Sequence, residues 1–367
     1  MINIDHSVQL LSRLPYKHGE FGSRNWGHPF HSLISFPSKL KPSIAHFLIE
    51  YFTNEGETVL DPFSGVGTIP FEACTLGRVG IGTDISPLGY HATRAKVDPP
   101  SLTEARSVLR DVEAGIEAGW KNQILEGVEA EIVPFFHERT LKELLVARQV
   151  LLSHTDRAGS FVLACLLHVL HGNRPYALSR RSHNIMPWPP KGDFVYKPVM
   201  VSLREKVERM LASPLSLRFR RGEARQADVF SLPFPRSSYD ALVTSPPFHA
   251  NRDFLRMNRI RLWYCGWDYS QQASMRANFL ENHPIGCYSA VFKEFSRVLK
   301  PSRPCVLHLG IVKNLDMAKE LLPLALDAGF ELHGSINEDT TGMESHGIVD
   351  RGATRTHQIL VLTSPKP

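Results

Sequence analysis

Residues 57–84 read ETVLDPFSGVGTIPFEACTLGRVGIGTD, and the order of their parts decides the fold. Glu57-Thr58-Val59-Leu60 is a short β-prone run that feeds the turn Asp61-Pro62-Phe63-Ser64-Gly65-Val66-Gly67-Thr68. Ile69 to Leu76 has helical character, and Val79 to Thr83 is a second strand closing at Asp84. Strand, glycine turn, helix and strand in that order open a parallel nucleotide-binding sheet.

Outward from this stretch, Ser43 to Phe52 has apolar residues at helical spacing and stops at Gly56. From Pro99 to about Gly222 the predicted elements are helices, at Ser101 to Ile124, Thr140 to Ser153, Gly159 to His171 and Val199 to Leu211, with a proline-rich loop over Asn184 to Pro198. The β/α pattern then returns. Asp240 to Thr244 reads as a strand, Ile285 to Leu299 as a helix, Arg303 to Gly310 as a strand and Met317 to Ala328 as a helix. Phe330 to Ile336 and Thr356 to Thr363 alternate like a closing antiparallel pair. The expected architecture is an α/β Rossmann-like sheet with a C-terminal antiparallel strand pair and a helical insertion. Its parts are a cofactor half at 1–98, a helical basic insertion for substrate recognition at 99–222 and a catalytic half at 223–367.

With 43% apolar and 22% charged residues, the 367-residue chain has a globular composition, which sets aside fibrous and disordered classes. The longest apolar stretch, near Phe161 to Leu170, is interrupted by His168 and too short to cross a bilayer, and MINIDHSVQL lacks the pattern of a secretory leader. A soluble, cytoplasmic chain is expected. Five cysteines without C-x-x-C spacing suggest reduced thiols, and His168 and His171 at i, i+3 without H-E-x-x-H suggest no metal site. Net charge is +5, but Gly172 to Arg225 holds twelve Lys/Arg against four acids. That concentration suits a phosphate backbone, with a solvated basic face as the plainer alternative.

The glycine turn suggests a ligand of a particular charge. Glycines there let the backbone approach it, yet Asp61 would repel a pyrophosphate. An acid suits a cation, and S-adenosylmethionine carries an α-ammonium and a sulfonium. Asp84 can accept from ribose hydroxyls. A second motif, Asp240-Ala241-Leu242-Val243-Thr244-Ser245-Pro246-Pro247-Phe248, sets an apolar strand before Ser-Pro-Pro-aromatic. Two prolines remove two backbone donors and fix φ, leaving rigid carbonyl acceptors. An exocyclic amine on a nucleobase offers hydrogens to accept and a flat ring to stack, which Ser245, the Pro246 carbonyl and Phe248 would answer.

The blocks DPFSGVGT, GTDISP and TSPPF resemble the signature segments of S-adenosylmethionine-dependent amino-methyltransferases acting on DNA, and Ser-Pro-Pro-aromatic is most similar to the N4-cytosine branch. Ser35-Phe36-Pro37-Ser38-Lys39 resembles the family segment that touches the methionine end of the cofactor. The resemblance implies a class I methyltransferase fold and a cofactor set of Phe36, Lys39, Asp61, Phe63, Gly65, Gly67, Thr68, Asp84, Ile85, Asp228 and Thr244. It also implies catalysis by Ser245, Pro246, Pro247 and Phe248 on DNA, with a restriction or defence partner as an option. Phe248 replaces the more usual tyrosine, keeping the ring and losing a hydroxyl.

Arg174, Arg180 and Arg181, interleaved with Tyr176, Trp188 and Tyr196, combine charge with stacking surface for nucleic acid. Arg252, Arg256 and Arg259 fall on one face of a helix after the catalytic block. Alternatives are an RNA amine, adenine N6 in DNA, a small-molecule amine, or a cofactor-binding module without catalysis. A C5-cytosine mechanism would need a Pro-Cys nucleophile, and Pro304-Cys305 lies in what reads as a core strand.

Overall fold

The structure, a computed structural model, describes residues 2–13, 19–23, 26–36, 39–183, 186–248, 253–312, 314–339 and 354–366, the side chains of residues 339 and 355 excepted. The strands are β1 (Thr58–Asp61), β2 (Val79–Asp84), β3 (Glu223–Gln226), β4 (Ala241–Thr244), β5 (Pro304–Val312), β6 (Leu315–Asp316), β7 (Glu331–Asp339) and β8 (Thr354–Thr363). They form one sheet in the order β3-β2-β1-β4-β5-β8-β7, with β6 paired to β5. β3, β2, β1, β4 and β5 run parallel, and β8 is antiparallel to both β5 and β7. This is the expected Rossmann-like sheet with a C-terminal antiparallel strand pair, and strand order reverses at β1 and β4, where ligands of open α/β sheets bind.

The helices are α1 (Ile4–Leu11), α2 (Pro42–Phe52), α3 (Thr68–Thr75), α4 (Pro87–Val97), α5 (Leu102–Gly119), α6 (Glu138–Ser153), α7 (Arg157–Leu170), α8 (Val199–Leu211), α9 (Phe254–Tyr264), α10 (Tyr269–Met275), α11 (Tyr288–Val298) and α12 (Met317–Asp327). Period-two alternation in the strands sends Val59, Val243, Val306 and Val361 to one face, under α1, α2 and α3. Leu60, Leu242, Leu307 and Leu362 face the other way, under α11 and α12. A third core joins Phe71 and Ala92, of α3 and α4, to α5, α6, α7, α8 and α9. The helices between β2 and β3 therefore share buried surface with α3 and with the segment after β4.

Several boundaries differ from expectation. The helix from Ser101 ends at Gly119 instead of Ile124, before a turn that includes Gly127 at φ +86°. α4 and β3 were not anticipated. Cys305 is fully buried in β5, and burial pushes its thiol far above the usual range, which removes it as a nucleophile. Among the described residues no helix is long and apolar enough to cross a membrane.

Candidate active site

Asp61 ends β1 and Asp84 ends β2, so both carboxylates stand at the carboxyl edge of the sheet. Between them the turn is held from below by Thr93 of α4, whose hydroxyl meets Ser64 Oγ at 3.0 Å and donates to the Gly65 carbonyl at 3.3 Å. Gly67 enters α3 in the left-handed region at φ +71°, and a Cβ there would lie 2.8 Å from Thr93 Cα, so both conformation and space require glycine. Gly65 has φ +50°, and its nearest neighbour is the Phe36 ring at 3.8 Å from an added Cβ. Phe36 thus sits beside the turn, and its ring in turn meets Phe254 of α9 at 5.7 Å.

Asp61 is 2% exposed. Its Oδ1 accepts from Thr244 Oγ1 at 2.6 Å and from the Phe63 amide at 3.1 Å. Burial pushes its carboxyl up to about 7, against the pull of these two bonds, and the neighbouring Asp84 charge adds to the rise. Among the described residues no basic side chain acts on this buried carboxylate, and an α-ammonium would supply such a charge. Asp84 Oδ2 accepts from the Gly65 amide at 3.0 Å, and Oδ1 accepts from the amide and hydroxyl of Ser86 at 2.8 and 2.7 Å. Burial raises its pKa too. These bonds fix the carboxylate over the N-terminus of α4, with Gly89 close enough that a Cβ would meet Asp84 Cγ at 2.3 Å.

The other expected cofactor residues spread around this pair. Thr68 is buried in the first turn of α3, and Ile85 is half-buried against the helical core. Asp228 lies two residues beyond β3 and accepts from the Phe230 amide at 3.0 Å. Phe63 turns to the α11 side, its ring 6.4 Å from Phe295. Lys39 Nζ donates to the His31 carbonyl at 2.6 Å; Pro37 and Ser38 of the same segment lie outside the described residues. Asp61, Gly65, Asp84, Thr244 and Phe36 form the coherent group, and its acids, glycine turn and flanking ring fit S-adenosylmethionine.

At the end of β4, Thr244 pairs in register with Leu307 of β5, which sets the next residues on each strand, Ser245 and His308, side by side. Ser245 Oγ lies 3.2 Å from His308 Nδ1. Pro246 is buried, while Ser245, Pro247 and Phe248 are half-buried. The Phe248 ring stacks on His308 at 6.1 Å and 26°, and its Cε2 would be 2.9 Å from a Cβ at Gly310. His308 is 4% exposed, and burial, reinforced by His357, lowers its pKa well below the usual value. Sequence reasoning passed over this histidine; a lone polar residue between Leu307 and Leu309 was the available signal.

The basic segment is more committed to internal contacts than its charge suggests. Arg180 donates to the Gly192 and Pro134 carbonyls and covers the Phe194 ring at 4.0 Å. Lys197 Nζ bonds the Ala177 and Ser179 carbonyls, and Lys206 is buried against the Ser32 carbonyl. Arg204 and Arg221 pair with Glu113 and Asp98. Arg174 and Arg181 are exposed. Arg256 is exposed too and lies 5.1 Å over the ring of Trp188, itself 50% exposed. Arg259 anchors that loop by donating to the Pro187 carbonyl at 3.0 Å. Arg252 lies outside the described residues.

Residues 15–93, which carry the glycine turn and both acids, match the DNA methylase family. The type II methyltransferase M.BsoBI of Geobacillus stearothermophilus is 23% identical over 284 residues, 69% of this chain and 56% of that protein. The type II methyltransferase M.MjaII of Methanocaldococcus jannaschii is 26% identical over 82 residues, 22% of this chain and 16% of that protein. The chain therefore spans at most about half the length of these curated relatives. Among solved structures, a SAM-dependent methyltransferase from Methanosarcina mazei aligns over 91% of this chain and 100% of its own, with 12% identity and a TM-score of 0.38. The cofactor implied by the DNA methylase match is S-adenosylmethionine.

Proposed function

From the DNA methylase match over residues 15–93, we propose that this chain methylates an exocyclic amine of a base in DNA, cytosine N4 foremost. The observation that carries the reading is the 2.6 Å bond from Thr244 to Asp61, which ties the TSPPF segment to the acid of the cofactor turn. Amine acceptors and cofactor acid are thereby one rigid unit. When bound, S-adenosylmethionine supplies a methyl group on a sulfonium; the amine gains that methyl, the sulfur keeps the electron pair, and the amine releases one proton.

The chain's own residues prepare the amine for this. Its lone pair is delocalised into the base ring, so the nitrogen is a weak nucleophile until its hydrogens are engaged. Ser245 and the Pro246 carbonyl accept those hydrogens and orient the nitrogen, and Phe248, backed by His308, stacks on an extruded base and fixes its plane. Asp61 and Asp84 hold the ammonium and ribose ends of the cofactor. Arg174, Arg181 and Arg256 with Trp188 supply charge and stacking surface for the nucleic acid.

Serine at the head of the Pro-Pro-aromatic block supports cytosine N4 over adenine N6, as the resemblance implies. A tritium-transfer assay comparing duplex DNA with total RNA tests the substrate class, with incorporation expected in DNA. Label in RNA alone would move the activity to an RNA amine, since these acceptors read an amine and not a sugar.

A further inference from the structure

We infer that His308 is a positioning residue for methyl transfer, taking the Ser245 hydroxyl hydrogen on Nδ1 so that Ser245 Oγ keeps its lone pairs for the substrate amine. This rests on the amine-methylation reading above. A serine hydroxyl free to rotate would spend part of its time aiming its own hydrogen at the amine, where donor would meet donor. The 3.2 Å contact to His308 Nδ1 gives that hydrogen a fixed destination. It is also the imidazole's single hydrogen bond among the described residues, because Nε2 is buried without a partner.

The ring is held in place on several sides. Phe248 stacks on it, and His357 meets it at 4.8 Å in an edge-to-face pairing. Its strand neighbours Leu307 and Leu309 are buried in the sheet core. A polar ring in such a strand costs desolvation that packing alone does not return, while a fixed acceptor for Ser245 accounts for it.

The first test is the tautomer, read by 15N NMR of histidine-labelled protein without substrate. The expected signature is an unprotonated Nδ1 and a protonated Nε2; a protonated Nδ1 would overturn the proposal. The second is single-turnover methylation of duplex DNA. His308→Leu should slow it about tenfold or more, the scale of a lost orienting hydrogen bond, with cofactor affinity unchanged. His308→Asn, which returns an acceptor near the Nδ1 position, should recover most of the rate. In a Ser245→Ala background His308→Leu should add little. An equal loss in both backgrounds would show that His308 acts apart from Ser245 and would overturn the inference. If wild-type protein methylates no nucleic-acid amine, the functional reading fails on its own, and the tautomer still decides the hydrogen-bond assignment.

Discussion

Thr244, the last residue of β4, donates its hydroxyl to Asp61, the last residue of β1, over 2.6 Å, and both side chains are buried. Neighbouring parallel strands thus end in a bonded pair whose acid faces the proposed cofactor and whose threonine precedes the proposed catalytic serine. Disturbing either member should be felt at both sites.

Cofactor affinity should follow the Asp61 charge. With its carboxyl pushed up to about 7 by burial, the acid is largely protonated at pH 5.5 and half ionised at pH 7. Affinity for S-adenosylmethionine should rise about tenfold across that interval as the carboxylate forms. Calorimetry at the two pH values checks this, and Asp61→Asn should give a weak, nearly flat profile. A steep profile in Asp61→Asn would assign the titration to another group.

The same group should trade stability for binding. Asp61 holds its proton more tightly in the folded chain than its ordinary value of 3.8 allows, so stability is lost as pH climbs from about 4 toward 7. Asp61→Asn can still accept from Thr244 and the Phe63 amide without a buried charge. The cofactor-free variant should melt at least about 2 °C above wild type at pH 8, with thermal stabilisation by S-adenosylmethionine reduced at a given cofactor concentration. A lower melting temperature would contradict the electrostatic account.

The catalytic block should separate chemistry from stacking. Ser245→Ala should slow single-turnover methylation roughly 100-fold while leaving cofactor affinity intact. Phe248→Ala should cost about 1 to 3 kcal/mol of base capture, and Phe248→Tyr should keep most activity. Gly310→Ala is a second, less selective probe, because its Cβ would meet the Phe248 ring at 2.9 Å and also Thr354 Cγ2 at 3.0 Å and the Thr356 carbonyl oxygen of β8 at 3.2 Å. It should weaken DNA capture and spare S-adenosylmethionine binding. An undiminished rate in Phe248→Ala would make the segment structural.

Much of this was legible in the residues because strand alternation and turn chemistry are local. Val59 and Leu60 point to opposite faces as period two requires, and Gly65 and Gly67 adopt the positive φ that the turn demands. β3 escaped notice because Glu223-Ala224-Arg225-Gln226 is a polar edge strand, stabilised by pairing with β2 rather than by an apolar face. α4 was hidden by a blurred pattern, with Lys96 fully buried on the side where an apolar residue would be expected. His308 belongs to the site through the register of β5 against β4, a relation between strands far apart in the chain. Local reading does not show which cations of the basic insertion are engaged within the chain, because the salt bridges of Arg204 and Arg221 and the carbonyl contacts of Arg180 are tertiary.

DNA affinity should accordingly depend on few cations. Arg174→Glu with Arg181→Glu should flatten the plot of log affinity against log salt, the slope falling by about 0.9 for each phosphate no longer neutralised. Arg180 is left in place because its guanidinium holds the loop. Fluorescence anisotropy over a salt series provides the slope, and a wild-type slope near zero would favour a small-molecule amine.

Identifying the methylated product tests the central claim most directly. Duplex DNA incubated with wild-type protein and S-adenosylmethionine bearing a deuterated methyl group can be digested to nucleosides and analysed by mass spectrometry. The account expects the label on an exocyclic amine, as N4-methyldeoxycytidine, with the initial rate of its formation about 100-fold lower in Ser245→Ala. Label as 5-methyldeoxycytidine, or no label in any nucleoside, would contradict it.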